Sequence, residues 1–212
     1  EDFLSIIDKV SSTGGFIMQQ AVSDFESELA EYAGTNYSVG VGNATDGMEI
    51  FLEAIGVNPG DEIIISSHTM LATASAIKVA GGIPVPVDIK NNDNLISISA
   101  IEEAITGNTV GIMPTQLNGR ICDMESINAI AAKKGLFIVE DAAQALGSRY
   151  KGQHAGTFGL ASDISFFPAK VLGCLGDAGG VLVNDKDLYH QIYQLHDHGR
   201  DTDGEVKRWG RN

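Results

Sequence analysis

The chain has 212 residues, 43% of them hydrophobic, which is enough for one sizeable core. Lys and Arg number 14 against 28 Asp and Glu, and the formal net charge of −14 argues against binding to nucleic acid or to an anionic membrane surface. No apolar run approaches the ~20 residues that cross a bilayer, and no signal peptide is recognisable. Cys122 and Cys174 are too few for a disulfide framework, so we expect a cytoplasmic protein.

Amphipathic helices and short apolar strands alternate along the chain. The spacing of apolar residues predicts helices at 2–12, 21–33, 48–55, 71–80, 97–106, 124–134 and 186–196. Strands are predicted at 37–42, 61–66, 83–87, 110–114, 136–139, 164–167 and 181–183, followed by a polar loop at 198–212. Continuous apolar strands between helices are typical of a mostly parallel sheet covered on both faces. The prolines in 83–87 indicate an edge strand or a strand end.

A glycine-flanked turn between a predicted strand and a predicted helix is the first candidate binding feature. It reads Gly42-Asn43-Ala44-Thr45-Asp46-Gly47. Backbone N–H groups at a helix N-terminus bind anions, and Thr45 would add a hydroxyl group. Capping of the helix by Asn43 or Thr45 explains the same residues equally well, so both interpretations stay open here. The turn is neither a P-loop nor a Gly-x-Gly-x-x-Gly dinucleotide turn.

Asp141 and Lys170 are the candidate catalytic residues. Asp141 follows an apolar strand, at the end where open α/β sheets bind ligands, although a helix N-cap would also place an acid there. Lys170 lies between an aromatic strand and the glycine-rich stretch 173–180. A desolvated lysine is an amine nucleophile that forms Schiff bases, whereas most lysines are merely exposed.

Several motifs in the same order resemble those of fold type I pyridoxal-phosphate enzymes, and more closely the nucleotide-sugar aminotransferases of the DegT/StrS family. The resemblance spans the chain from near its start to Asn212. The motifs that carry it are Gly15-Phe16-Ile17, Gly42-Asn43-Ala44-Thr45-Asp46-Gly47, Ser67-His68-Thr69, Glu140-Asp141-Ala142-Ala143-Gln144-Ala145, Ser165-Phe166-Phe167-Pro168-Ala169-Lys170 and Gly176-Asp177-Ala178-Gly179-Gly180. It implies a three-layer α/β/α fold, with residues 1–212 as the large domain that binds pyridoxal 5'-phosphate. We expect N-terminal residues and a small C-terminal domain to lie outside this chain.

The resemblance also implies a role for each candidate residue. Lys170 would bind the cofactor through a Schiff base and carry protons, while Asp141 would pair with the pyridine nitrogen. The remaining cofactor-binding residues would be Thr45, Asp46 (through its backbone N–H) and Ser165 at the phosphate, Gln144 near the ring oxygen, Met70 where the family usually stacks an aromatic residue, and Asn212 in the partner subunit's site. No metal is expected.

The activity implied by the resemblance is transamination. An amino donor, expected to be glutamate, would supply the amino group to a keto-sugar nucleotide in amino-sugar or polysaccharide biosynthesis, in a homodimer with composite sites. Gln144 favours a 3-keto sugar by the same resemblance. The alternatives are a non-catalytic regulatory member of the family, which intact Lys170 and Asp141 argue against, and a sugar dehydratase, a branch that has histidine in place of the lysine.

Overall fold

The computed structural model describes residues 3–201 and 203–211. Its helices are α1 (Phe3–Thr13), α2 (Gln20–Ala33), α3 (Ala44–Ile55), α4 (Leu71–Val79), α5 (Ile98–Ala104), α6 (Met124–Lys134) and α7 (Lys186–His196). Its strands are β1 (Tyr37–Val41), β2 (Glu62–Ser66), β3 (Ile83–Val87), β4 (Thr109–Met113), β5 (Phe137–Ile138), β6 (Glu140–Asp141), β7 (Arg149–Tyr150), β8 (Gln153–His154), β9 (Ala161–Ser165) and β10 (Gly179–Val183). In the described residues, no helix is long and apolar enough to span a membrane.

The strands form a mostly parallel sheet, as predicted. One four-stranded part has the order β3-β2-β4-β5, with all pairs parallel, and the other has the order β1-β10-β9-β6. Only Val139 separates β5 from β6, so the two parts meet along one stretch of chain. The pairing of β10 with both β1 and β9 is antiparallel. The proline-containing strand β3 lies at an edge, where a missing N–H donor is tolerated.

Helices cover both faces of the sheet and complete the three-layer α/β/α fold. On one face, α3, α4 and α7 pack on alternate strand residues such as Ile63, Ile65 and Val181. On the other face, α5 and α6 pack on the intervening residues Ile64 and Ile112. Helix α2 packs on that same face against β9 and β10. The prediction of the fold class is confirmed.

The structure corrects several predicted boundaries. The strand predicted at 164–167 is Ala161–Ser165, because Ser162 and Asp163 pair with both neighbouring strands despite their polarity. Helix α3 begins at Ala44, earlier than the apolar pattern at 48–55 indicates, because Asn43 caps it. The hairpin of β7 and β8 was not predicted from the sequence, since two-residue strands leave no periodic pattern.

Candidate active site

A cleft of about 990 Å³ brings together the candidate residues that the structure describes. Those that line it are Thr45, Asp46, Met70, Asp141, Gln144, Ser165 and Lys170. Asn212 lies outside the described residues. Strands β1, β6 and β9 run in the same direction, so their carboxyl ends deliver these side chains to one edge of the sheet. The individual roles of these residues stay predictions.

The N-terminus of α3 opens onto the cleft. Asn43 caps the helix: its Oδ1 accepts from the N–H of Asp46 at 2.9 Å, and its Nδ2 donates to Asp46 Oδ2 at 2.8 Å. The capping interpretation therefore holds for Asn43, and it leaves the anion-binding interpretation open at the first helical residues, Ala44 and Thr45. The N–H of Asp46 already donates to Asn43 Oδ1. It would therefore have to break this hydrogen bond in order to donate to a phosphate.

A glycine allows β10 to pass close beside the start of α3. A Cβ atom at Gly179 would lie 2.6 Å from the carbonyl carbon of Asn43 and 2.7 Å from the backbone nitrogen of Ala44. No side chain fits there without a shift of the backbone. The glycine thus keeps the helix N-terminus close to the sheet and beside the cleft.

Threonine hydroxyl groups surround the carboxylate of Asp141, whose side chain is almost fully buried. Oδ2 accepts from Thr73 at 2.6 Å, with Thr69 at 3.4 Å and Thr115 at 3.5 Å, and Oδ1 accepts from the N–H of Ala143 at 3.2 Å. Thr69 is also 2.7 Å from Thr73 and 2.8 Å from Thr115. Donors of this kind favour the ionised carboxylate and fix its orientation.

The sequence reasoning missed the roles of Thr73 and Thr115. One available signal was Thr115, which follows the carboxyl end of β4 as Asp141 follows that of β5. The other was Thr73, a β-branched polar residue in a helix rich in alanine.

Lys170 lies on a tight turn beside the end of β9. Its N–H donates to the carbonyl of Phe167 at 2.8 Å, and the N–H of Phe167 donates to Ser165 Oγ at 3.3 Å. Gly173 closes the turn, because a Cβ atom there would lie 2.5 Å from the carbonyl oxygen of Pro168. The lysine is half-buried and lines the cleft, so it is not a freely exposed surface lysine.

Gln144 and Met70 line other parts of the cleft. Gln144 Oε1 accepts from the backbone N–H of Asn118 at 3.0 Å, which holds the amide beside the loop that contributes Asn118 and Gly119 to the wall. Met70 is 66% exposed. A thioether at the cleft mouth can pack against a ring with little geometric preference.

Glu140 and Asp141 are adjacent in sequence but serve opposite faces of the sheet. Glu140 is fully buried and accepts from Gln116 Nε2 at 2.7 Å and from the N–H groups of Gly156, Phe158 and Gly159 at 2.8, 2.6 and 3.0 Å. It does not line the cleft. Glu140 therefore fastens the 156–159 turn to the sheet, and Asp141 alone of this pair faces the cleft.

Comparison with known proteins identifies the family. A pleiotropic regulatory protein of Geobacillus stearothermophilus is 40% identical over 198 residues, or 93% of this chain and 53% of that protein. A UDP-2-acetamido-2-deoxy-3-oxo-D-glucuronate aminotransferase of Pseudomonas aeruginosa is 40% identical over 195 residues, 92% of this chain and 54% of that protein. The crystal structure of ntda from Bacillus subtilis with bound cofactor PMP superposes with a TM-score of 0.91 at 33% identity, covering 99% of this chain and 48% of that one.

This chain spans about half the length of the curated relatives it matches. The sequence model of the DegT/DnrJ/EryC1/StrS aminotransferase family matches residues 1–212. The chain belongs to the DegT/DnrJ/EryC1/StrS aminotransferase family.

Proposed function

We propose that the protein is a pyridoxal-phosphate-dependent aminotransferase that transfers an amino group, from a donor such as glutamate, to the keto group of a sugar nucleotide. The observation that carries the proposal is the shared cleft, onto which Lys170, Asp141 and the N-terminus of α3 all open. Membership in an aminotransferase family supports it. We also propose that residues 1–212 form the large, cofactor-binding domain.

The cleft residues fit this cofactor. The close approach of Gly179 to the first residues of α3 leaves backbone N–H groups at the cleft for a phosphate, with the Thr45 and Ser165 hydroxyls beside them. Asp141 presents a hydrogen-bonded carboxylate that would hold a protonated pyridine nitrogen. Lys170 supplies the amine that bonds to the cofactor aldehyde.

When bound, pyridoxal phosphate supplies an electron sink for the substrate carbon. The protein's own contribution is placement and proton transfer. Lys170 Nζ would carry the proton between the substrate carbon and the cofactor, since it is the basic group of the cleft that the turn 167–173 holds in position. Asp141 would keep the ring nitrogen protonated, and Gln144 would contact the ring oxygen.

The substrate proposal rests on relatives and on Gln144. The Pseudomonas aeruginosa relative is named for a 3-oxo sugar nucleotide, which supports the expectation of a 3-keto substrate. Glutamate as the donor, and amino-sugar or polysaccharide biosynthesis as the setting, are part of the same proposal. The cytoplasmic location stays a prediction.

A regulatory role is the second candidate, because one relative at 40% identity is named a pleiotropic regulatory protein. A non-catalytic member would not need an amine and a carboxylate in one cleft. The placement of Lys170 and Asp141 therefore favours catalysis.

An absorption experiment tests the function. The protein is mixed with pyridoxal phosphate, its spectrum is recorded, and glutamate is then added. The expected result is a bound-cofactor band that glutamate converts to that of the amine form. A cofactor band that no amino donor changes would contradict transamination.

Borohydride reduction followed by peptide mapping tests the assignment of the lysine. The cofactor should be fixed covalently on Lys170. Lys151 is the internal control, since its ammonium pairs with Glu125 and lies outside the cleft. Labelling of Lys151 or of another lysine in place of Lys170 would contradict the assignment.

The homodimer is supported by apolar side chains around the cleft. Met70, Leu71, Val171, Leu172 and Leu175 are 66%, 74%, 79%, 59% and 81% exposed. Phe16 and Ile17 are 67% and 77% exposed and line a second cavity, which shares Asp46 and Asp177 with the cleft. A second copy of the chain would cover this surface and complete both sites.

A further inference from the structure

Asp163, in the middle of β9, is a buried carboxyl group without a partner. It has no exposed surface, and neither Oδ1 nor Oδ2 has a hydrogen-bond partner among the described residues. The nearby buried acids differ from it, because Glu140 and Asp141 each accept several hydrogen bonds. Asp163 does not line the cleft.

Asp163 lies next to residues of two neighbouring strands and of helix α3. On β10 its register partner is Val181, and on β6 it is Asp141. Above it lies Gly47 of α3, where a Cβ atom would stand 3.8 Å from Asp163 Cβ and 3.0 Å from Val181 Cγ2. The register places the carboxyl of Asp163 beside that of Asp141, on the same face of two adjacent parallel strands.

The surroundings of Asp163 favour its protonated form in the cofactor-free protein. Burial, and after it the negative charge of Asp141, raise the pKa of Asp163 well above its usual value. The backbone N–H of Asp163 itself and the charge of Lys170 oppose the rise, and Glu140 adds to it. Val181 of β10 is apolar, and in α3 Asp46 is bonded to Asn43 while Glu49 and Glu53 pair with Arg211. Asp141 has the hydroxyl donors that stabilise the ionised form.

We propose that Asp163 is a positioning residue for the ring nitrogen held by Asp141, and that the proton of Asp163 is released when a cationic ring binds there. The inference rests on the proposed function. Burial of Asp163 does not change on binding, but a cation at Asp141 cancels the repulsion from that carboxylate and adds its own attraction to a negative charge on Asp163. These two changes favour ionisation, and the O–H bond of Asp163 breaks on binding. The proton goes to the ring nitrogen if the ring arrives neutral, and to solvent if it arrives protonated. In either case a second carboxylate then lies behind Asp141 and holds the ring proton in place.

Calorimetric proton counting tests this release. Cofactor binding is titrated in buffers of different ionisation enthalpy, from about pH 5 to 9, and the number of protons exchanged is derived from the dependence on buffer. The wild type should release up to one proton more, or take up one fewer, than Asp163→Asn, which has a similar shape but no acidic proton. Asp187→Asn, at an exposed acid of α7, should match the wild type. Equal counts for the wild type and Asp163→Asn throughout the range would overturn the proposal.

Infrared difference spectra of the wild type provide a readout that needs no variant. The cofactor-free protein should show the carbonyl band of a buried protonated carboxylic acid, and this band should disappear on cofactor loading. A band that persists after loading would overturn the release, as would its absence from the cofactor-free protein. Failure of the cofactor to bind Lys170 in the borohydride experiment would instead refute the proposed function. The two failures are therefore distinguishable.

Discussion

Three acidic residues near the cleft are buried, and they differ in their hydrogen-bond partners. They are Glu140, Asp141 and Asp163. Glu140 has backbone and amide donors and fastens a turn, while Asp141 has hydroxyl donors and faces the cleft. Neither carboxyl oxygen of Asp163 has a hydrogen-bond partner among the described residues, and the residue lies between Val181 of β10 and Asp141 of β6. Hydrogen bonds to a carboxylate favour its charge and burial opposes it, so three buried carboxyl groups differ in their chemistry.

Asp141→Asn should keep the cofactor bound but lose most turnover. The amide preserves the shape and a hydrogen-bonding oxygen, but it has no charge with which to keep a pyridine nitrogen protonated. The barrier should rise by several kcal/mol, with about 1.4 kcal/mol for each tenfold loss of rate. Single-turnover kinetics with glutamate, alongside a cofactor-binding titration, measure the two effects separately. Near-normal turnover would rule out the role of Asp141.

Asp163 should make the cofactor-free protein less stable as the pH rises. In the unfolded chain an Asp side chain loses its proton at about pH 4. In the folded protein Asp163 retains its proton to a higher pH, because its pKa is raised. Between these two pKa values the folded state binds the extra proton, so the free energy of unfolding falls by up to about 1.4 kcal/mol per pH unit.

Denaturant unfolding at a series of pH values tests that dependence. Asp163→Asn should lack this contribution to the fall, whereas Asp187→Asn should retain the slope of the wild type. Parallel profiles for the wild type and Asp163→Asn would show that Asp163 carries no proton in the folded protein.

The sequence allowed Asp141 and Lys170 to be predicted as neighbours because Asp141 ends one strand and Lys170 comes after another, and strand ends meet at one edge of a parallel sheet. It did not reveal the role of Asp163. The strand register, which is set by pairing with both neighbours, decides that Asp163 lies on the same face of the sheet as Asp141. Thr73 was missed because its contact with Asp141 spans 68 residues of sequence.

At the scale of elements, one side chain connects β6 to the turn that leads into β9. Burial raises the pKa of Glu140, and its hydrogen bonds from Gln116 and from the 156–159 backbone oppose that rise. Gly159 is part of this connection, because a Cβ atom there would lie 2.6 Å from the carbonyl oxygen of Ile138. The turn is thus held against the sheet by the Glu140 carboxylate and by the close approach of Gly159 to Ile138.

Glu140→Gln should destabilise the fold. The new amide group turns N–H bonds toward backbone donors that need an acceptor, and leaving a buried donor unpaired costs about 1–3 kcal/mol. Glu125→Gln is the matched control, since the Glu125 side chain is 63% exposed and forms only a surface ion pair. Equal unfolding midpoints for the two variants would show that Glu140 does not fasten the turn.

The periodic elements were predictable, and the short ones were not. Helices with an apolar face and strands with buried runs leave clear patterns, so their presence and order match the structure. Strand β9 was displaced toward its aromatic end because Phe166 and Phe167 look like strand residues, although pairing with β10 ends at Ser165. The β7–β8 hairpin depends on Lys151 and Gly152 with φ of 50° and 86°, a local geometry without periodicity.

At the scale of the whole molecule, one group of exposed apolar side chains lies where the cleft opens. Phe167, Val171, Leu172 and Leu175 are 50–81% exposed along one segment that also carries Lys170. The exposed apolar residues of 16–18 lie beside the adjoining cavity. With a net charge of −14, two copies repel each other at long range, so the proposed homodimer would depend on apolar contact at this surface.

Leu175→Asp should therefore dissociate the proposed homodimer into monomers. Activity should fall as the dimer dissociates. The substitution puts a charge into a surface that a second copy would bury, and an unpaired buried charge is strongly unfavourable. Val79→Asp is the control, because Val79 is 60% exposed at the end of α4 that points away from the cleft. Sedimentation at the concentration used for activity assays gives the state of association. Fully active monomers of the wild type would contradict the homodimer, and Leu175→Asp dimers as stable as those of Val79→Asp would place the interface elsewhere.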